Sequence, residues 1–293
     1  MRVSDGYMYD LANRRLMRSR SESTTAGGQV SSGKRVEMPW DDAGAAGLIT
    51  RFAQDKARQG ALQSAADRAS GELGAVDSSF QQIVTDLTRA QELAVQLSND
   101  TYGASDRALG GAEVQQLFQS VVSQLNVKFG DRYIFGGTAD QAPPFDATGN
   151  YLGDTNTRRV EIAPGVLQDA SIRADAAFRG VGGGIDVLTS LTNFSSALST
   201  NNTAGIRAAI QELADATKQV SASQSRAGAM MNVFDVASGT ARINGDTATD
   251  ARSRLEDIDI FDASTRFAAA ERALEASMAA SAKSFKLTLL DVL

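Results

Sequence analysis

Four groups of residues in this chain have types and spacings that could do chemistry. Gly28-Gln29-Val30-Ser31-Ser32-Gly33-Lys34-Arg35 carries the GxxxxGK spacing with which a P-loop wraps backbone amides around phosphates. Such a loop needs Ser or Thr at the eighth position to hold magnesium and an apolar strand leading in, and Arg35 and the polar run 19–26 supply neither. The paired acids Asp41-Asp42 and Glu256-Asp257 could divide acid and base work, but neighbours in a helical segment point in different directions. Helix capping and solvation account for them better. Tyr133, Arg158 and Arg159 gather an aromatic ring and two cations, which a solvated turn explains equally well. Asn99-Asp100-Thr101, Asn193-Phe194-Ser195 and Asn201-Asn202-Thr203 match a glycosylation triplet short enough to arise by chance.

Composition narrows the field further. The 293 residues include neither histidine nor cysteine, so a Ser-His-Asp triad, a Cys-His pair, the usual zinc sites and disulfides are all excluded. No catalytic, cofactor-binding or metal-binding residue is assigned. A formal net charge of -6 argues against nucleic acid as a partner, because phosphate neutralisation needs clustered Lys and Arg. No run approaches the ~20 apolar residues of a membrane span, and the basic N-terminal run has too weak an apolar face to bind lipid. The opening residues lack the apolar stretch of a secretory signal, so the chain is expected to stay in the cytosol or leave by another route.

The elements that must position any site come from periodicity. Leu62, Ala66, Ala69, Leu73, Val76, Phe80, Ile83, Leu87, Ala90, Ala94 and Leu97 are spaced 4,3,4,3 throughout, which keeps one stripe of a helix on its partner. The helix is expected over about 43 to 99, starting after Asp41 and Asp42. A second seam of equal length runs Ile206, Ile210, Leu213, Thr217, Val220, Gln224, Ala227, Met231, Phe234, Ser238 and Ala241. Val114, Phe118, Val121 and Leu125 predict a third helix over roughly 105 to 129, antiparallel to the first. Segment 131–183 differs in texture. Tyr133-Ile134-Phe135-Gly136-Gly137, Pro143-Pro144-Phe145 and the alternating Arg158 to Ile162 before Pro164-Gly165 predict a small β lobe, followed by a short helix over about 185 to 199. The fold class is mainly α: an elongated antiparallel bundle of long coiled-coil-like helices, an inserted β lobe, and terminal helices that pair with each other. The expected divisions are 1–42, 43–130, 131–183, 184–249 and 250–293.

Both termini have amphipathic stripes with little to bury them. The C-terminal stripe is Phe267, Ala270, Leu274, Met278, Ala282, Phe285 and Leu289, and the N-terminal apolar residues include Val3, Tyr7, Met8 and Leu11. The first 36 residues are net basic and residues 250–293 net acidic, so the ends are complementary in sign. A lone amphipathic hairpin has too little core to be stable by itself. The subunit-interaction residues expected on this basis are Val3, Tyr7, Leu11, Phe267, Leu274, Met278, Phe285 and Leu289.

Taken together, these residues resemble the flagellin family of axial flagellar proteins. Gln29 to Val36 followed by Asp41-Asp42-Ala43-Gly44-Ala45-Ala46-Gly47-Leu48 is similar to the family's N-terminal signature, and Ser253-Arg254-Leu255-Glu256-Asp257-Ile258-Asp259 to the stretch where its C-terminal helices resume. Arg132 to Thr138, Pro143-Pro144-Phe145 and the ending Leu287 to Leu293 are similar to the branch that joins hook to filament. Gly44 to Gly47 looks more like the filament subunit, flagellin, which is the alternative, and Trp40 departs from both patterns. The resemblance implies a non-enzymatic structural adaptor without cofactors, whose termini form an inner-tube domain and whose lobe faces outward. It implies export through the flagellar type III channel and a place at the hook-filament junction. The partners implied are other copies of the chain in a helical ring, a hook-side junction protein, flagellin and an export chaperone.

Overall fold

The computed structural model describes residues 2–290, with side chains described for residue 7 and residues 9–283. Seven helices and four short strands follow one another among the described residues. In chain order they are α1 (Arg2–Ser32), α2 (Ala43–Leu97), α3 (Ala104–Leu125), β1 (Lys128–Phe129), β2 (Arg132–Tyr133), β3 (Arg159–Ala163), β4 (Val166–Asp169), α4 (Ala174–Phe178), α5 (Val187–Ser199), α6 (Thr203–Glu256) and α7 (Ile260–Leu290). They fall into two compact units: Met1–Arg58 with Asn244–Leu293, and Gln59–Ile243.

The second unit holds the main core. Every member of the α2 seam from Leu62 to Leu97 is buried, and Leu73, Phe80, Ile83 and Leu87 are completely inaccessible. On α6, Ile206, Leu213, Val220, Ala227, Phe234 and Ala241 are buried and the alternate seam positions half-buried. Polar pairs cross between these helices: Ser70 donates to Asp235 at 2.7 Å, Ser238 to Asp67 at 2.5 Å and Gln224 to Asp77 at 2.9 Å. Their reversed order along α6 makes the two helices antiparallel. These pairs lie along the edges of the apolar seam, exposed or half-buried, and they oppose a slip of one helix along the other.

Helix α3 packs against α5 at Gly111, while the neighbouring Gly110 makes room for Leu97 of α2. A Cβ on Gly111 would lie 3.3 Å from the Ser195 carbonyl, so this glycine trades helix propensity for close approach of the two backbones. The sequence predicts that α3 runs to about 129, but it stops at Leu125. Asn126 leaves the helix to clamp Phe145, donating to its carbonyl at 2.9 Å and accepting from its amide at 3.0 Å.

The β lobe is two antiparallel hairpins, β1-β2 and β3-β4, the second turning at Gly165 with φ 76°. An aromatic cluster anchors the lobe to α2: Phe80 stacks on Phe178 at 5.5 Å and meets Phe135 edge-on at 5.6 Å, and Phe145 packs on Phe178 and Tyr151. The Gln219 amide on α6 donates to the carbonyls of Ala177 and Ile185 and accepts from the Ile185 amide, tying the return segment to the same unit.

The first unit contains α1 and α7, packed antiparallel, with the start of α2 and the end of α6. Half-buried residues recur on α1 at Ala12, Leu16, Ser19, Ser23, Ala26 and Val30. On α7 they recur at Phe267, Ala270, Leu274, Ser277 and Ser281, after the buried Ala263. Both series step 4,3,4,3, the spacing of a two-helix seam.

Candidate assembly interface

The interface is built outward from a short bridge where both terminal helices join the long ones. Helix α1 ends at Ser32, and Gly33 takes φ 69°, the left-handed cap conformation that glycine adopts without penalty. The chain then runs antiparallel to residues 255–258. Arg35 N donates to the Glu256 carbonyl at 2.6 Å, and Ile258 N donates to the Gly33 carbonyl at 3.1 Å. Lys34 Nζ reaches the Glu256 carboxylate at 2.7 Å and Arg252 Nε does so at 2.5 Å. These hydrogen bonds, Arg252 first, hold the Glu256 carboxyl below its ordinary range although burial opposes them. The Arg35 guanidinium donates to the Leu255 carbonyl at 2.8 Å and to Asp42 at 3.1 Å.

The segment that resembled a P-loop is therefore a helix C-terminus and its exit. It lies at the negative end of a helix dipole, and its exit amides are already engaged: Gly33 N donates to the Gln29 carbonyl, Lys34 N to the Ser32 hydroxyl and Arg35 N to the Glu256 carbonyl. The paired acids are caps and ion-pair members. Asp41 accepts from the amides of Glu37 and Met38, and Asp42 caps α2 through the Ala45 amide, the leading reason its carboxyl lies below the usual value. Asp257 takes the Ser253 hydroxyl. The lobe candidates do not converge: Tyr133 lies under Lys128 at 4.6 Å, Arg158 pairs with Glu72, and Arg159 pairs with Asp169 at 3.0 Å.

The expected interaction residues divide by face. Phe267 and Leu274 are half-buried on the α7 seam, and the Phe267 ring lies over Gly27 of α1, where a Cβ would come within 3.1 Å of it. Leu11 is half-buried on α1. Tyr7, at 70% exposed, and Met278, at 49%, lie open. The side chains of Val3, Phe285 and Leu289 lie outside the described residues. An open groove of about 540 Å³ runs beside the seam, lined by Ser21, Thr25, Ala26, Ala269, Ala270 and Ala273.

No described side chain in residues 7–32 is fully buried, and from 260 to 283 only Ala263 is. Small residues let the two helices approach closely but give each other little area to cover.

Comparison with known proteins bears on this unit directly. The family model for the bacterial flagellin N-terminal helical region matches residues 3–140, and that for the bacterial flagellin C-terminal helical region matches residues 210–293. The chain belongs to the bacterial flagellin family. The family's two helical regions meet in the bridge, which joins residues 33–36 to 255–258.

Within the family, the chain is 34% identical over 167 residues to flagellar hook-associated protein 3 of Salmonella typhimurium, covering 56% of this chain and 53% of that protein. It spans about half the length of the curated relatives it matches. Its fold is similar to that of Bacillus cereus FlgL, with TM-score 0.60 and 21% identity over 71% of this chain and all of that one. The flagellar junction protein FlgL of Legionella pneumophila gives TM-score 0.56 and 14% identity over 73% of this chain and all of that one. Among the described residues no helix is long and apolar enough to cross a membrane, and no group of acids could hold a metal ion.

Sequence reasoning singled out the two motifs that form the bridge but not their pairing. The available signal was charge: Lys34-Arg35 in one motif and Glu256-Asp257 in the other.

Proposed function

We propose that this protein is a non-catalytic structural adaptor of the bacterial flagellum that joins hook to filament, its copies packing side by side through α1 and α7. The carrying observation is that the paired terminal helices leave their seam half-buried, while the second unit has a complete core of its own. A hairpin so poorly covered gains stability when neighbours supply the missing area, at about 25 cal/mol per Å² of apolar surface. Unlike patches meeting between copies propagate into a helical ring instead of closing as a dimer. The relatives' names, flagellar hook-associated protein 3 and flagellar junction protein, support this place in the organelle.

On this reading the partners are further copies, a hook-side junction protein and flagellin, with an export chaperone covering the terminal helices before assembly. The chain would leave the cell by the flagellar type III route in a largely unfolded terminal state. Flagellin itself is the competing reading, and growth on seeds separates the two. Purified adaptor added to hook ends carrying the hook-side junction protein is expected to add one short layer and stop. Continued growth into long filaments would make it the filament subunit.

A further inference from the structure

Two glycines inside the long helices lack the packing that accounts for their neighbours. Gly71 lies against the Phe129 ring, Gly110 against Leu97 and Gly111 against the Ser195 carbonyl, whereas a Cβ on Gly74 or Gly228 would meet nothing within 4 Å. Both sit in continuous helix, Gly74 in α2 and Gly228 in α6, so the backbone does not require glycine either. Alanine would fit at each and would favour the local helix by roughly fivefold.

The two fall at one level of the second unit. The pairs Gln224–Asp77 and Ser70–Asp235 cross between the antiparallel helices, and between them lie Gly74 on α2 and Gly228 on α6. The turns at this level are weakened a second time. The Ser78 hydroxyl donates to the Gly74 carbonyl at 3.0 Å and the Ser225 hydroxyl to the Ser221 carbonyl at 3.0 Å. A hydroxyl bonded four residues back keeps the carbonyl partnered when its backbone bond opens, and glycine with serine is where helices bend. On α6 the seam here is the buried Ala227 and the half-buried Met231, with Met230 beside it. Unbranched methionines repack around a shifting neighbour, unlike the Phe80 and Phe234 rings buried to either side.

We infer that the α2–α6 pair is jointed at this level, bending as the turn beside each glycine opens, and that joining hook to filament uses the bent form. This rests on the adaptor reading above and says how one subunit fits two unlike neighbours. Helices of one fixed form offer both neighbours the same geometry, whereas a jointed pair settles into the form that each neighbour binds best.

Three full-length proteins test it: wild type, Gly74→Ala/Gly228→Ala, and Gly74→Asn/Gly228→Asn, whose side chain is larger than that of alanine but forms helix poorly. Unchanged helical circular dichroism confirms that both variants fold. In the dilute monomer, wild-type amides at 74–78 and 228–232 are expected to open more readily than those flanking Leu87 and Leu213, while staying slower than those of α1 and α7. Alanine should slow that opening roughly fivefold at each glycine. Wild-type protection that is uniform along both helices would overturn the joint, whatever the protein assembles with. On hook ends carrying the hook-side junction protein, followed by flagellin, the alanine variant should complete roughly twentyfold fewer junctions, the product of two such effects. The asparagine variant should stay close to wild type. Joining by the alanine variant as well as by wild type would overturn the use of the bend. Loss in both variants, deeper with asparagine, would overturn it in favour of a neighbour packed onto the glycines. A wild-type protein that never joins hook ends would remove the adaptor reading and the use of the bend together, while the exchange measurement still decides the joint.

Discussion

Glu256 is the side chain on which the bridge turns. Its carboxylate is almost fully buried between Lys34 and Arg252, and its carbonyl accepts from Arg35. Replacing it by Gln keeps the shape but removes the charge from two cations. Glu256→Gln is expected to cost about 1–2 kcal/mol, read as faster amide exchange at Arg35 and Ile258, with little change in the second unit. Acid should act by the same route. The Glu256 carboxyl is held below its ordinary value when folded, so its contribution is present above the unfolded pKa and is lost as the pH falls through the folded one. In the lobe, the hydroxyl and amide donors of Thr138 hold Asp154 down to about 2, and those of Thr148 and Asn150 do the same for Asp146. The lobe is therefore expected to loosen between about pH 4, the unfolded carboxylate value, and about pH 2. An NMR pH titration following the amides of Thr138 and Asn150 checks this, and chemical shifts unchanged across that window would contradict it.

At the scale of elements, the same heptad spacing has different energetic content in the two units. Leu87 on α2 is completely buried, whereas Leu274 on α7 keeps part of its surface in water. Leu87→Ala should cost about 3–5 kcal/mol and lower the melting temperature by several degrees; Leu274→Ala should cost no more than about 1 kcal/mol in the dilute monomer. Leu274→Asp is expected to abolish addition to hook ends while leaving the thermal transition of the second unit in place, measured by differential scanning calorimetry and sedimentation. The long helices were legible because their partners are regular: Leu62 to Leu97 and Ile206 to Ala241 repeat without interruption. The β3-β4 hairpin was legible from its alternation and from Pro164-Gly165. The end of α3 was not, since Asn126 leaves the helix for Phe145, a tertiary bond that no local pattern announces. Nor was the face of α7 that turns to α1. Ser277 and Ser281 occupy it where the apolar stripe pointed to Met278 and Ala282, because small residues permit the close helix contact that Met278 would obstruct.

For the whole molecule, the account divides the labour between a unit that folds on its own core and a unit whose terminal helices are completed by other subunits. The sequence carries both halves of that division, as matched apolar seams in the middle and underfilled stripes at the ends. The bridge between Gly33-Val36 and Leu255-Ile258 could be read only from the folded chain, since its partners lie more than two hundred residues apart. Amide hydrogen exchange of the full chain, recorded first in dilute solution and then after addition to hook ends, tests the division most directly. The account predicts rapid exchange over residues 7–32 and 260–283 in the monomer, slow exchange along the α2 seam from Leu73 to Leu97, and strong protection of the terminal helices once assembled. Terminal helices already as protected in the monomer as the α2 seam, and unchanged on assembly, would contradict it.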